Sequence, residues 1–139
     1  MSDDHKKKHP CPDEIIASGA AIVRLRHACK SPKDALEFKM PYAGDNPAAL
    51  LLELSATIEM CDSAALAVSR KHGVKNFEWA EGFDYLEDAR DCIEAGKPRR
   101  AYAKLLKAHE CWAGVLTFNG IEQPTNAQID RLNARGNAR

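Results

Sequence analysis

The groups able to carry acid–base, redox or metal chemistry in this 139-residue chain are five histidines, five cysteines and twenty carboxylates, and their spacing gathers few into a reactive set. His5, His9 and Cys11 form H-x3-H-x-C, three donors suited to zinc or nickel, but no fourth ligand follows nearby and the segment around them is polar and turn-rich. No metal and no cofactor are therefore expected. Cys11, Cys29, Cys61, Cys92 and Cys111 are odd in number and contain no C-x-x-C, which argues against a disulfide framework. Cys29 and Cys61 fall on apolar arcs, where a free thiol behaves as a small hydrophobe. Cys111 lies one turn beyond Lys107 on a basic face, so it is the thiol expected to be most thiolate-like and first to be labelled. His27 and His109 fall near apolar arcs, with Arg26 beside the first. An acid–base role would need a carboxylate partner that spacing alone does not place. The paired Glu-x-x-His pattern of helical di-iron proteins is absent, so no catalytic residue and no enzymatic activity are expected.

Charge is arranged more suggestively. Glu81, Asp84, Glu87, Asp88, Asp91 and Glu94 would project within about 140° of one another on a helix turning by ~100° per residue. Such a stripe could meet a basic protein surface or stand in for phosphates, although a charged helical face is most often simply wet. The counterpart follows in sequence. Lys97, Arg99, Arg100, Lys104 and Lys107 crowd the start and one face of the next helix, where cations oppose the helix dipole. Pairing of Glu94 with Arg99 or Arg100 would relieve that conflict; the alternative is a site for an anion or nucleic acid. His72, Gly73 and Trp79 fall where a helix-turn-helix places its turn and apolar positions, but Glu78 and Glu81 would face the phosphates and repel them.

The elements that must position these groups read as helices. The longest runs over 47–72, from Asn46-Pro47 to Gly73, without an internal Pro or Gly. Leu51, Leu54, Ile58, Cys61, Ala65 and Val68 form its seam, while Leu52 and Leu66 return to the opposite face. Two apolar stripes imply two neighbours, so this helix is either central or an interface. A first helix over 13–29 buries Ile15, Ile16, Gly19, Ala20, Ile22, Val23 and Cys29. Ser31-Pro32-Lys33-Asp34 caps a short helix over 32–39 that Pro41 must stop. Asn76 caps a fourth, with Trp79, Gly82, Phe83, Leu86, Ala89 and Ile93 inward and Gly96 at its end. Pro98 begins a fifth, carrying Ala101, Tyr102, Leu105, Ala108, His109, Trp112 and Leu116 inward until Asn119-Gly120. Thr125 to Gln128 is a second capping box, opening a final short helix over 126–135.

No segment alternates with strand period, so the expectation is an all-α antiparallel bundle of four main helices plus the two short ones. Its organisation would be a charged arm over 1–11, one bundle domain over 12–120 and an extension over 121–139. Twenty basic residues balance twenty acidic ones, leaving no long-range pull toward nucleic acid or anionic lipid. No apolar run approaches the ~18 residues of a membrane span, and the first residues lack an apolar leader core, which together predict a cytoplasmic protein. The function expected is binding to another protein, as an adaptor, immunity factor, inhibitor or accessory protein, with a second copy of the chain as a candidate partner. Leu52, Leu66 and the acidic stripe would form that surface. An anion or nucleic-acid binder using residues 97–107 is the runner-up, and a small histidine-based helical enzyme stands third.

Overall fold

A computed structural model describes residues 10–72 and 80–137, without the side chains of residues 69, 71, 72, 80 and 134–137. The described residues form six helices: α1 (Asp13–Lys30), α2 (Pro32–Glu37), α3 (Pro47–His72), α4 (Ala80–Glu94), α5 (Pro98–Phe118) and α6 (Asn126–Asn137). The sequence expectations for the arm before Pro10, the Gly73 turn, the Asn76 cap and Trp79 lie outside the described residues, as does most of the helix-turn-helix segment.

Local chemistry sets the boundaries. Ser31 Oγ accepts from Asp34 N (3.1 Å) at the start of α2, and Asn46 Oδ1 accepts from Ala49 N (3.3 Å) at the start of α3. Thr125 and Gln128 exchange reciprocal bonds of 2.8 and 3.1 Å, the capping box read from sequence. Gly96 (φ 74°) ends α4 in a left-handed residue, with Gly96 N donating to the Ile93 carbonyl and Lys97 N to the Cys92 carbonyl. Gly120 (φ 66°) ends α5 in the same way, and Ile121, the residue beyond it, is fully buried. The stop of α2 differs from expectation. Pro41 is not the breaker; Lys39 takes the left-handed conformation (φ 53°) and Met40 N bonds back to Ala35, closing the helix two residues earlier.

The residue pairs that meet establish direction. Glu81 meets Cys111 and Asp88 meets Lys104, so α4 and α5 are antiparallel. Gly19 lies against Trp112, while Cys29 and Lys30 lie by Arg99 and Tyr102, so α1 and α5 are antiparallel as well. Arg24 pairs with Glu53 at 3.6 Å, while Ala17 and Ala20 lie beside Met60, which sets α3 against α1 in the same sense. With α3 also packed on α4, the four long helices close a square whose neighbours run in opposite directions, and α2 and α6 are added on α1. The core fills the square with Ile15, Ile22, Leu25, Leu50, Leu54, Leu86, Ile93, Leu105, Trp112 and Leu116. All described residues are consistent with the all-α bundle, and none forms a β-strand.

The most surrounded helix is α1, not the longer α3. Helix α1 packs against α2, α3, α5 and α6, whereas α3 packs against α1 and α4. Small residues make this possible: Ser18, Gly19, Ala20, Ala21 and Ala28 are all buried, and Gly19 lets the Trp112 ring approach where a Cβ would stand 2.7 Å from it.

Candidate functional site

Between α3 and α4 the surface folds into a shallow groove of about 300 Å³, lined by Ile58, Glu59, Asp62, Phe83 and Glu87. Ile58 and Phe83 are half-buried, and the three carboxylates rim them. Leu66 stands one helical turn beyond Asp62 and is 52% exposed; Leu52, two turns before Glu59 on the outer side, is 75% exposed. The second apolar stripe of α3 therefore faces solvent within one chain. Glu59, Asp62 and Phe83 were not assigned to a surface by sequence pattern. The spacing of Asp62 and Leu66 at i and i+4 was the available signal, but it places them on one helix and cannot say that α4 adds Glu87 beside them.

The acidic stripe of α4 does not face one way. All six carboxylates are exposed, but they divide among three directions around the helix. Glu87 lines the α3 groove and also lies 3.9 Å from Arg90. Asp88 and Glu81 lean the other way, toward α5, where Asp88 meets Lys104 at 3.6 Å and Glu81 accepts from the Cys111 thiol at 3.7 Å. Asp84 and Asp91 point between these flanks, and no cation among the described residues comes within 4 Å of them.

The basic residues are likewise dispersed. Lys104 is drawn to Asp88 and lies 5.7 Å from the Tyr85 ring centroid. Arg99 lies beside Lys30 and Tyr102 at the α1–α5 seam, and Lys97, Arg100 and Lys107 are exposed. Neither Arg99 nor Arg100 reaches ion-pair distance of Glu94, contrary to the expected relief across the α4–α5 turn. The Lys97 backbone N–H is already committed to closing α4, which holds the turn without that pair.

Cys111 does not have the character expected of it. Burial first, then the Glu81 hydrogen bond and the charges of Glu81 and Glu110, raise its pKa, and Lys107 offsets only part of this. The thiol form is favoured because burial, with the Glu81 carboxylate beside it, disfavours the thiolate more than Lys107 favours it. Burial pushes Cys11, Cys29 and Cys61 up to about 12, which makes them poor nucleophiles. All five cysteines are free thiols.

The histidines fare differently from each other. His109 stacks on Trp112, with ring centroids 5.2 Å apart, and burial with nearby Arg26 lowers its pKa to about 4. It is a neutral packing residue at ordinary pH, and among the described residues no carboxylate comes within ion-pair distance of it. His27, by contrast, acquires the partner that sequence spacing left unplaced. Its Nδ1 lies 3.8 Å from Asp34 Oδ1, and Glu37 joins them, with one donor atom of each residue within 4.8 Å of the other two. The His27 pKa is lowered, chiefly by burial, against the opposing charge of Asp34. Asp34 is held low first by the Ser31 hydroxyl, which donates to Oδ2 at 2.6 Å. The sequence signal was the one-residue link between α1 and α2, which turns the last α1 residues toward the first turns of α2.

Comparisons with family models, curated proteins and solved structures give no match to this chain.

Proposed function

We propose that this chain works as a non-enzymatic binding protein, engaging a protein partner through the α3–α4 face. The observation that supports this reading is the groove in which Glu59, Asp62 and Glu87 surround Ile58 and Phe83, with Leu66 exposed at its margin. A basic polypeptide segment carrying one apolar side chain fits that chemistry. Its cations would approach down the field of the three carboxylates and its apolar group would enter the groove, so charge would govern association rate and apolar contact the residence time. Leu52 extends the apolar margin along α3. Asp84 and Asp91 add negative charge from between the two flanks of α4, with no cation within 4 Å among the described residues, whereas Glu81 and Asp88 are engaged with α5 and contribute less. An adaptor, inhibitor, immunity or accessory role is compatible with such a surface, and a second copy of the chain is one candidate occupant. The basic face at 97–107 is the weaker reading, because Lys104 is already paired with Asp88 and Arg99, though exposed, lies at the α1–α5 seam beside Lys30 and Tyr102.

The test compares tagged wild type, a Glu59→Lys/Asp62→Lys/Glu87→Lys variant and an Arg99→Glu/Arg100→Glu/Lys107→Glu variant, each checked for an unchanged helical spectrum. Native lysate is applied to each at two ionic strengths, with and without nuclease. The expected result is a discrete protein retained by wild type and by the basic-face variant, insensitive to nuclease, and lost by the acidic-face variant. Retention that survives the acidic-face reversal, or that disappears with nuclease, would overturn the reading.

A further inference from the structure

We propose that His27, Asp34 and Glu37 form a binding site for one divalent transition-metal cation, which would clip α2 onto the end of α1. The three donors come from two helices joined by Ser31 alone. His27 lies in the last turn of α1, and Asp34 and Glu37 are three residues apart on α2, so both carboxylates rise from neighbouring positions of one helical face.

Geometry distinguishes this set from an ordinary ion pair. At 3.8 Å, His27 Nδ1 and Asp34 Oδ1 are too far apart for a hydrogen bond. They are close to the spacing of two ligands on one ion, since bonds of ~2.1 Å at tetrahedral angles put donors about 3.4 Å apart. All three donors fall within 4.8 Å of one another, a spread that small side-chain rotations would close.

The second observation is independent of the acidic groups. His27 Nδ1 is itself inaccessible to solvent and has no hydrogen-bond partner. A buried polar nitrogen without a partner costs stability, and a neutral imidazole nitrogen near the Asp34 carboxylate is satisfied by a cation placed between them. The surroundings hold the donors in place. Phe38 packs on the imidazole with centroids 4.3 Å apart, fixing the ring, and the Ser31 hydroxyl occupies Asp34 Oδ2, leaving Oδ1 toward His27. Such outer partners are what orient metal ligands. The C-terminal end of α1 adds negative potential, while Lys30 and Lys33 beside Asp34 oppose it. One imidazole and two carboxylates suit zinc or manganese(II), with water completing the coordination, better than calcium, which favours oxygen donors alone.

The experiment titrates chelator-stripped full-length protein with zinc and, separately, with manganese(II), by calorimetry and by thermal unfolding. Glu37 is exposed, so Glu37→Gln leaves the metal-free fold intact; His27→Gln and a His5→Ala/His9→Ala variant complete the set. Expected are one equivalent bound, a raised Tm, at least tenfold weaker binding in Glu37→Gln and His27→Gln, and unchanged binding in His5→Ala/His9→Ala. Manganese(II) should also selectively broaden the NMR signals of the His27 and Phe38 rings. Binding that is unaffected by Glu37→Gln, or that vanishes with the two N-terminal histidines, would overturn the site. The outcome is independent of the α3–α4 surface, whose variants leave these three residues untouched.

Discussion

Helices α1 and α3 contradict the intuition that the longest and cleanest amphipathic helix is the middle of a bundle. Helix α3 buries one seam, Leu50, Leu54, Thr57, Cys61, Ala64 and Val68, and leaves Leu52 and Leu66 in solvent. Helix α1 buries ten of its eighteen residues, spread around most of its circumference. The difference lies in side-chain size. A helix touched on several sides must let its neighbours come near, so five of the ten buried α1 residues are glycine, alanine or serine, against Ala64 alone among the six buried residues described on α3. Helix α3 can carry leucines on its seam and also outside it, because only one face has to fit. A broad but small-residue face marks the helix that others pack on, and a large apolar residue opposite a seam marks surface left for something else.

The largest expected effect separates the two helices directly. Ile22→Ala, at a fully buried α1 position, should lower unfolding free energy by ~2–5 kcal/mol in urea denaturation. Leu66→Ala, half exposed on α3, should stay within ~0.5 kcal/mol. Leu66→Glu is the sharper form of the same comparison: it should leave a folded monomer. Global unfolding by Leu66→Glu, or a small cost for Ile22→Ala, would mean that the roles of the two helices have been assigned the wrong way round.

Much of this fold was legible before any coordinates. Proline and glycine punctuation with cap residues placed α3, α5, the Ser31 N-cap and the Thr125–Gln128 capping box, because those signals are local and need no tertiary partner. The exception at Lys39 has a physical cause. A lysine can adopt a left-handed backbone at modest cost, so the α2 stop came from the Ala35–Met40 bond and left no glycine to betray it. The candidate surfaces were less legible. Glu81 and Asp88 share a helical face with Asp84 and Asp91 by angle, but which flank meets α5 depends on how α4 is rolled, and periodicity does not report roll. His27 and Asp34 are seven residues apart across a break between two helices, where neither helical nor strand spacing applies.

The next effect concerns pH and the α1–α5 side of the bundle. His109 has a pKa near 4 in the folded chain, against about 6.5 when unfolded, so the unfolded state binds the extra proton first as pH falls. The stabilisation is complete above pH 6.5 and is lost progressively down to pH 4, by on the order of 2–3 kcal/mol. The half-buried position of the ring favours the lower end of that range. His109→Gln should flatten the dependence of urea midpoint on pH across this window. An unchanged slope would mean that His109 titrates normally and that the seam beside Arg26 is wetter than the packing indicates.

The smallest effect uses one substitution at two sites and asks for opposite signs. In a helix, Gly→Ala ordinarily stabilises by ~0.5–1 kcal/mol, because the glycine backbone loses more freedom on folding. Gly114 on α5 is exposed and a Cβ there meets nothing within 4 Å, so Gly114→Ala should show that gain as a higher Tm. At Gly19 the same methyl would stand 2.7 Å from two atoms of the Trp112 ring. That ring is buried and rigid, so relief requires α1 and α5 to separate, and overpacking of this kind costs ~1–3 kcal/mol, more than the backbone term returns. Gly19→Ala should therefore lower Tm while Gly114→Ala raises it. A gain at both sites would show that Trp112 can yield, and that α1 is held by its neighbours less closely than its small residues imply.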